Sequence, residues 1–278
     1  MTPLASVVIP AHNERTVIGR CLRALADGAA PGELDVIVVA NACTDDTAAM
    51  AASVRVIETP VPGKANALNV GDERCRTFPR LYLDADIELT AADVRDLVKA
   101  LATDGVLACA PTPRFDLTGA SWPVRRFHIV LEKLIGDRIG LSGAGAYLLT
   151  ERAHARVFPM PPDIIADDAL VHRSFSEAER AVVDAVSVTI RPPRTVSALI
   201  RRRARVRIGN QQLAARGQTA TEPSLSLREL RRLVRRGEVA PLDAGCFLSI
   251  LLADRVMALS RRILRTGANW SQDATTRS

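Results

Sequence analysis

The chain has 278 residues, of which 47% are hydrophobic and 24% charged, and its mean hydropathy is +0.08. This composition is typical of a folded globular protein with one large or two small domains, and it excludes a chain that is disordered throughout. No run of 18 apolar residues occurs, so we expect no membrane-spanning helix. Five cysteines without a Cys-x-x-Cys pair argue against a disulfide framework or a zinc knuckle. We therefore expect a reduced, cytoplasmic protein, with peripheral attachment to the inner face of the membrane as an open alternative.

The net charge of +6 is distributed unevenly along the chain. Residues 194–278 hold 17 Arg and six acidic residues, a net charge of +11, whereas residues 1–193 hold 20 basic and 25 acidic residues, a net charge of −5. A basic segment of this kind suits phosphates, an anionic membrane face or nucleic acid. Because only 4% of the residues are aromatic and the basic runs are not interleaved with them, we expect no nucleic-acid partner.

Short apolar runs alternate with helical patterns over the first 110 residues. The predicted strands cover 6–9, 34–39, 54–58 and 81–83, and the predicted helices between them cover 14–26, 44–52 and 64–75. This alternation predicts right-handed βαβ units and a mostly parallel sheet flanked by helices.

The second half of the chain is less regular. Helices are predicted over 90–102, with Thr90 as the cap, over 122–135, and over 163–174, where a loop leads into the helix. Further strands are predicted at 106–110, 143–149 and 181–190. Beyond Pro193 the pattern becomes helical and basic, so we expect a catalytic domain over 1–193 and a helical extension over 194–278 packed on it. The amphipathic stretches of this extension leave peripheral contact with an anionic membrane as an alternative.

Polar residues directly follow three of the predicted strands. They are His12-Asn13-Glu14, Asn41 and Asp84-Ala85-Asp86. Ligands bind at the carboxyl ends of the strands in parallel sheets, so these residues mark a candidate site. Two carboxylates one residue apart at such an edge can hold a hard divalent cation that also binds phosphate oxygens. The alternative is a polar turn before the helix that Thr90 caps.

Four segments extend this pattern in a fixed order. They are VVIPAHNE at 7–14, VIVVANACTDDT at 36–47, GKANALN at 63–69 and LDAD at 83–86. Together they resemble glycosyltransferase family 2, the inverting nucleotide-sugar transferases, over roughly residues 4–175. The resemblance implies the α/β fold called GT-A, a Rossmann-like, mostly parallel mixed sheet flanked by helices. It also implies metal-dependent, inverting transfer of a sugar from a nucleoside diphosphate donor to an acceptor hydroxyl, with Mn²⁺ or Mg²⁺ as the cofactor.

The same resemblance implies the donor and the acceptor as chemical classes. We expect a UDP-sugar, with a GDP-sugar next, and a hydroxyl acceptor that is a small molecule or lipid-linked. Processive members carry the motif Gln/Arg-x-x-Arg-Trp, of which Arg202 and Arg205 keep the spacing, while Val206 replaces the Trp. We therefore expect non-processive transfer, with one of these arginines contacting the diphosphate through paired donors. The alternative for both is a solvated helix face.

The resemblance also assigns roles to numbered positions. Asn41 would face the base, Lys64 would lie near the nucleotide, and the two aspartates of LDAD would serve the ribose and the metal-bound diphosphate. The predicted nucleotide-binding residues are Pro10, Ala11, His12, Glu14, Asn41, Lys64, Asp84 and Ala85, and the predicted metal ligands are Asp86 and Asp84. Family members often carry Asp-Asp-Gly-Ser where this chain has Ala40-Asn41-Ala42-Cys43. This departure leaves open the alternative of a non-catalytic nucleotide-binding protein with a degenerate transferase fold.

A second acidic segment, IADDALVHR at 165–173, resembles the family's Glu-Asp segment. Its register puts Asp167 on the catalytic aspartate and leaves Asp168 as the rival. A positioned general base typically contributes about 10²–10⁴-fold to a rate. The alternative is a pair of carboxylates that caps a helix N-terminus. His172 is a candidate for orienting the acceptor or reaching the metal, and Gly143 for letting the backbone approach the donor sugar or the acceptor.

Overall fold

The computed structural model describes residues 2–135, 140–218 and 226–263. Two parts of the predicted extension over 194–278, residues 219–225 and 264–278, lie outside the described residues.

Seven strands within the described residues form one sheet. They are β1 (Ala5–Ala11), β2 (Leu34–Asn41), β3 (Arg55–Thr59), β4 (Arg80–Leu83), β5 (Ala108–Phe115), β6 (Ala146–Leu149) and β7 (Arg180–Ile190). Their order in the sheet is β3-β2-β1-β4-β6-β5-β7. β1 runs parallel to β2 and β4, and β2 runs parallel to β3, whereas β6 is antiparallel to both β4 and β5. The predicted α/β fold with a mostly parallel mixed sheet is therefore confirmed.

Helices connect the strands and fill the C-terminal region. They are α1 (Ile18–Ala26), α2 (Thr47–Met50), α3 (Lys64–Asp72), α4 (Ala91–Ala100), α5 (Trp122–Ile135), α6 (Glu151–Val157), α7 (Asp167–Arg173), α8 (Val196–Ala215), α9 (Leu227–Arg235) and α10 (Pro241–Ile263). The start predicted for the first helix at Glu14 is wrong: α1 begins at Ile18, because Val17 before it has a φ of −120°, outside the helical range. The cap predicted for α4 is confirmed, since Thr90 Oγ1 accepts from the N–H of Asp93 at 3.1 Å in a capping box.

The parallel part of the sheet is buried on both faces. All seven residues of β1 and the last five of β2 are buried, as expected of parallel strands covered by helices. α3 approaches these strands closely at Gly71, where a Cβ would lie 2.5 Å from Val8 Cγ1 and 2.9 Å from Val39 Cγ2. The absence of a side chain at Gly71 thus fixes how near the helix that begins with Lys64 lies to β1 and β2.

The described residues divide into two compact units. The first lies within residues 1–114 and 140–190, and the second within residues 115–139 and 191–278. α5 therefore groups with the C-terminal helices, whereas the division made from the sequence placed it in the segment before 193. The physical reason is a shared apolar core, in which Phe127 of α5 stacks on Phe247 of α10 with 4.8 Å between ring centroids.

The second unit also encloses an acidic residue. Asp254 on α10 is buried, and its carboxylate accepts from Arg203 Nε and Arg207 Nε at 2.7 Å each. Two of the arginines in the basic run at 201–207 are therefore held by an internal ion pair rather than solvated. Within the described residues, no helix combines the length and the apolar character needed to cross a membrane.

Replacing Gly71 by Ala is expected to lower the free energy of unfolding by about 1–3 kcal/mol, because the added methyl group overpacks the contact with Val8 and Val39. Urea unfolding followed by circular dichroism measures the change. Gly245→Ala is the matched control, since a Cβ at that position of α10 meets nothing within 4 Å. Equal unfolding free energies for wild type and Gly71→Ala would contradict the close packing of α3.

Candidate functional site

The carboxyl ends of β1, β2 and β4 meet at one edge of the sheet. Ala11 at the end of β1 pairs with Ala40 near the end of β2, and Val8 of β1 pairs with Tyr82 of β4. The loops that follow these strands are therefore neighbours, and they carry the residues predicted to bind the nucleotide and the metal. Pro10 and Ala11 belong to β1 itself and are buried there.

The loop after β1 is tied to the loop after β2 by polar contacts. His12 Nδ1 lies 2.7 Å from the carbonyl oxygen of Asn41, and the N–H of Glu14 donates to Thr47 Oγ1 at 2.7 Å. Between them, Asn13 has a φ of 56° and accepts from the N–H of Thr44 at 2.7 Å. An asparagine tolerates this left-handed conformation better than most residues, so it suits this turn. These hydrogen bonds fix the loop after β1 and the loop after β2 relative to each other.

Asn41 has its side chain committed to the turn that precedes α3. The residue is fully buried, its Nδ2 donates to the carbonyl of Val61 at 2.6 Å, and its Oδ1 accepts from the N–H of Gly63 at 2.9 Å. These contacts fix the backbone directly before Lys64. The role of Asn41 toward a base stays a prediction, and the structure adds a positioning role that the sequence did not suggest.

Lys64, the first residue of α3, connects two of the predicted acidic residues. Its Nζ lies 2.7 Å from Asp84 Oδ1 and 3.1 Å from Asp167 Oδ2. Asp84 directly follows β4, and Asp167 is the first residue of α7. Residues more than 80 positions apart along the chain thus meet at one ammonium group.

The charges of this cluster shift the pKa values of its members. Burial alone would lower the pKa of Lys64, but the carboxylates of Asp167, Asp84 and Asp168 outweigh burial and hold the pKa above its usual value. Burial raises the pKa of Asp167, against the opposing effect of Lys64, and the neighbouring carboxylates raise it further. Burial, with the charge of Asp167 beside it, also raises the pKa of Tyr147. Lys64 is therefore a permanent cation, and Asp167 is a carboxylate with enhanced affinity for a proton.

Asp167 and Asp168 have different surroundings. Asp167 is buried and, besides Lys64, accepts from the Tyr147 hydroxyl at 3.4 Å. The Asp168 carboxylate accepts from two backbone N–H groups, those of Gly143 at 2.9 Å and Ala169 at 2.8 Å. The N-cap residue of α7 is Ala166, so neither aspartate is the cap of this helix. The geometry leaves Asp167 as the carboxylate aimed at the lysine and Asp168 as the one that holds the backbone.

The loop that carries Gly143 and Gly145, called here the glycine loop, contacts the chain at Asp84–Asp86 after β4, which we call the acidic edge. The N–H of Asp84 donates to the carbonyl of Gly145 at 2.7 Å, which brings the chain before β6 beside the end of β4. Gly145 has a φ of 65°, and a Cβ there would lie 2.7 Å from Ile87 Cγ1. Both facts require glycine at this position. Gly145 and Tyr147 belong to the site but were not assigned to it from the sequence, although the Gly-Ala-Gly entrance to β6 was a usable signal.

Three further residues predicted to contact the acceptor, the metal or the diphosphate are His172, Arg202 and Arg205. The His172 ring is buried, and its Nδ1 accepts from the N–H of Leu141 at 3.1 Å, so it holds the segment that leads to the glycine loop. Arg202 and Arg205 lie on α8, in the second compact unit. The roles predicted for these three residues toward the acceptor, the metal and the diphosphate stay predictions.

The acidic edge fits a hard divalent cation that takes some of its ligands from the protein and the others from a substrate. Among the described residues, no group of three or more His, Cys, Asp or Glu side chains is placed to hold a metal ion. Asp84, with Ala85 buried after it and Asp86 next, offers carboxylate oxygens at the sheet edge. Mg²⁺ is commonly bound through one or two carboxylates together with substrate phosphates rather than by a complete protein cage. The donor set therefore suits a cation completed by a diphosphate.

The chain resembles known proteins in sequence and in fold. The model of glycosyl transferase family 2 matches residues 6–177. Curated relatives, uncharacterized glycosyltransferases of Mycobacterium tuberculosis and Mycobacterium bovis, are 32% identical over 120 residues, which is 42% of this chain and 52% of theirs. The chain thus spans about half the length of the curated relatives it matches.

Solved structures share the fold at low sequence identity. A mannosyltransferase of Pyrobaculum calidifontis, in complex with GDP-Man and Mn²⁺, has a TM-score of 0.61 and 19% identity, covering 96% of this chain and 80% of that chain. Glucosyl-3-phosphoglycerate synthase of M. tuberculosis, in complex with Mg²⁺ and UDP, has a TM-score of 0.56 and 22% identity, covering 78% of this chain and 80% of that chain.

Replacing Lys64 by Met is expected to destabilise the protein more as the pH rises. The variant lacks the cation that opposes the raised pKa of Asp167, so ionising Asp167 in the fold becomes more costly. A raised pKa in the folded state means that stability is present in acid and lost as the pH rises through that pKa. The difference in unfolding free energy between wild type and Lys64→Met should therefore grow as the pH rises above about 4, the ordinary pKa of an aspartate carboxyl group.

Urea unfolding at several pH values measures this difference. The control is Lys64→Met combined with Asp167→Asn, which has no carboxylate left to ionise next to the methionine. The pH dependence of the difference should shrink in the double variant. If the single and the double variant show the same pH dependence, Asp167 is not the partner that matters.

Proposed function

Because this chain belongs to glycosyl transferase family 2, we propose that it transfers a sugar from a nucleoside diphosphate donor to an acceptor hydroxyl, with inversion and one sugar at a time. The observation that carries the proposal is the bridge from Asp84 through Lys64 to Asp167, with distances of 2.7 and 3.1 Å. A transferase of this kind needs a base for the acceptor and positive charge for the leaving diphosphate. The bridge provides a candidate for each in direct contact.

Asp167 is the proposed general base. It takes the proton of the acceptor hydroxyl while the hydroxyl oxygen forms a bond to the anomeric carbon from the side opposite the donor diphosphate. The bond between the anomeric carbon and the diphosphate oxygen breaks, and its electron pair leaves on the diphosphate. Burial, which raises the pKa of Asp167, strengthens this carboxylate as a proton acceptor.

Lys64 links this proton transfer to the leaving group. While Asp167 is ionised, Lys64 is shared between two carboxylates. Once Asp167 holds the proton, its charge is gone, and the ammonium group can pair more fully with Asp84 or with the charge that develops on the diphosphate. The residues that would hold a Mn²⁺ or Mg²⁺ are Asp84 and Asp86, and the cation when bound would neutralise diphosphate charge.

The donor base and the acceptor are proposed as classes. A UDP-sugar is preferred and a GDP-sugar follows, and similar folds are known with both GDP-Man and UDP. The acceptor is a hydroxyl compound, either a small molecule or lipid-linked. The alternative, a nucleotide-binding protein without turnover, gains no support from the carboxylates kept at Asp84, Asp86 and Asp167.

A panel of UDP, GDP, ADP, CMP and dTDP, each with and without Mn²⁺, tests the donor proposal by thermal unfolding. A nucleotide at 100 times its Kd should add about 2.7 kcal/mol to the unfolding free energy. We expect one nucleoside diphosphate to stabilise the protein, and to do so only with Mn²⁺. No shift with any member of the panel would contradict the proposed donor site.

Replacing Asp167 by Asn should lower transfer by about 10²–10⁴-fold, because the amide cannot accept the acceptor proton. The donor nucleotide identified by the panel should still stabilise the variant, since the donor contacts are left in place. Release of nucleoside diphosphate from the matching sugar donor measures turnover. Asp168→Asn is the matched control, and a greater loss of turnover in that variant would move the base to Asp168.

A further inference from the structure

The outer face of α10 is apolar. Leu242, Leu248, Leu252, Val256 and Leu259 are each 39–68% exposed, and the last four follow a spacing of four, four and three residues along one helix face. They make up half of the large apolar side chains that are exposed among the described residues. Single exposed leucines are ordinary, but a continuous stripe of them indicates a surface that meets something other than water. We call these five residues the α10 stripe.

The acidic residues of α10 point the other way. Asp243 and Asp254 are both buried, the first 3.5 Å from Arg126 and the second held by two arginines of α8. The exposed positions of α10 up to residue 260 therefore contain no acidic side chain, and Arg255 is the charged residue among them. The water-facing side of a surface helix normally carries its charged residues, whereas in α10 the acidic residues are buried and the exposed side is largely apolar.

The neighbouring helix α9 adds positive charge. Leu230 and Leu233 of α9 join the same apolar core as Ile250 of α10, so the two helices belong to one packed body. The opposite side of α9 is basic and open to solvent, and it carries five exposed arginines, which are Arg228, Arg231, Arg232, Arg235 and Arg236. Arginine binds phosphate oxygens through paired donors, so this side of α9 suits phosphate groups.

We propose that the second unit docks on an anionic lipid surface, with the α10 stripe inserted at the level of the acyl chains and the α9 arginines on the headgroup phosphates. Apolar insertion and attraction between arginines and anionic lipids are the two contributions that hold an amphipathic helix in a membrane interface. Charge complementarity favours this occupant over a second copy of the chain, because the segment at 194–278 has a net charge of +11 and copies would repel.

The docking surface is independent of the proposed transfer reaction, and its test needs no donor or acceptor. The full chain is mixed with vesicles of phosphatidylcholine alone, or of phosphatidylcholine with about one third phosphatidylglycerol, and the bound fraction is measured by flotation. We expect binding to the anionic vesicles, little binding to the neutral ones, and weaker binding as salt is raised.

Two double variants separate the two contributions. Leu252→Gln with Val256→Gln should weaken partitioning by about tenfold or more, because the stripe loses its central apolar pair. Arg231→Gln with Arg235→Gln should also weaken partitioning by at least about tenfold on anionic vesicles. All four side chains are exposed, so thermal midpoints should match the wild type.

Matched controls lie in the first unit. Met50→Gln removes one exposed apolar side chain, and Arg74→Gln with Arg152→Gln removes two exposed positive charges there. These variants should bind the anionic vesicles within about twofold of the wild type, as expected for surface changes away from the contact. Equal losses in the controls and in the α9 variant would reduce the effect to net charge and overturn the proposal.

Three further outcomes would overturn it. The first is equal or absent binding to both kinds of vesicle. The second is a self-associated wild type in sedimentation that becomes monomeric with Leu252→Gln and Val256→Gln, since a second copy would then cover the stripe. The third is a lowered thermal midpoint of that variant with unchanged vesicle binding, which would indicate that the chain itself covers α10.

Discussion

The site depends on a lysine ammonium group withdrawn from water and shared by two carboxylates. Burial disfavours the charge of Lys64, so the fold is required to bring Asp84 and Asp167 within 3.1 Å of it. The requirement is mutual, because two carboxylates this close would repel one another without the cation. A buried charge left without its partner is costly. The ion pairs of Lys64 therefore constrain the positions of α3, the end of β4 and the start of α7 relative to one another.

The surrounding backbone contacts serve this charge cluster. Gly71 sets the distance of α3 from the sheet, Asn41 holds the turn before Lys64, and Gly145 accepts from the N–H of Asp84. Each of these contacts joins residues that are distant along the chain, and each constrains a position rather than a reaction. Together they preorganise the acidic edge, which is the condition under which electrostatic stabilisation of a transition state is effective.

The two compact units carry different kinds of surface. The first presents carboxylates and a buried lysine at the edge of an α/β sheet, which suits a nucleotide, a cation and an acceptor hydroxyl. The second is a helical body in which the acidic residues of α10 are buried, while the exposed side of α10 carries an apolar stripe and α9 carries five exposed arginines.

The sequence by itself determined the order of strands and helices over the α/β part, because strand and helix periodicities and the cap at Thr90 are local properties. The ordered motifs also determined the family, since polar residues after apolar strands need only the chain to be read in order. Only the tertiary structure decided that Lys64 bridges Asp84 and Asp167 and that the Asn41 side chain bonds the backbone of the turn before α3. It also decided that α5 packs with the C-terminal helices. These are contacts between residues tens of positions apart, and they are set by the packing of whole elements, which no local pattern of residues encodes.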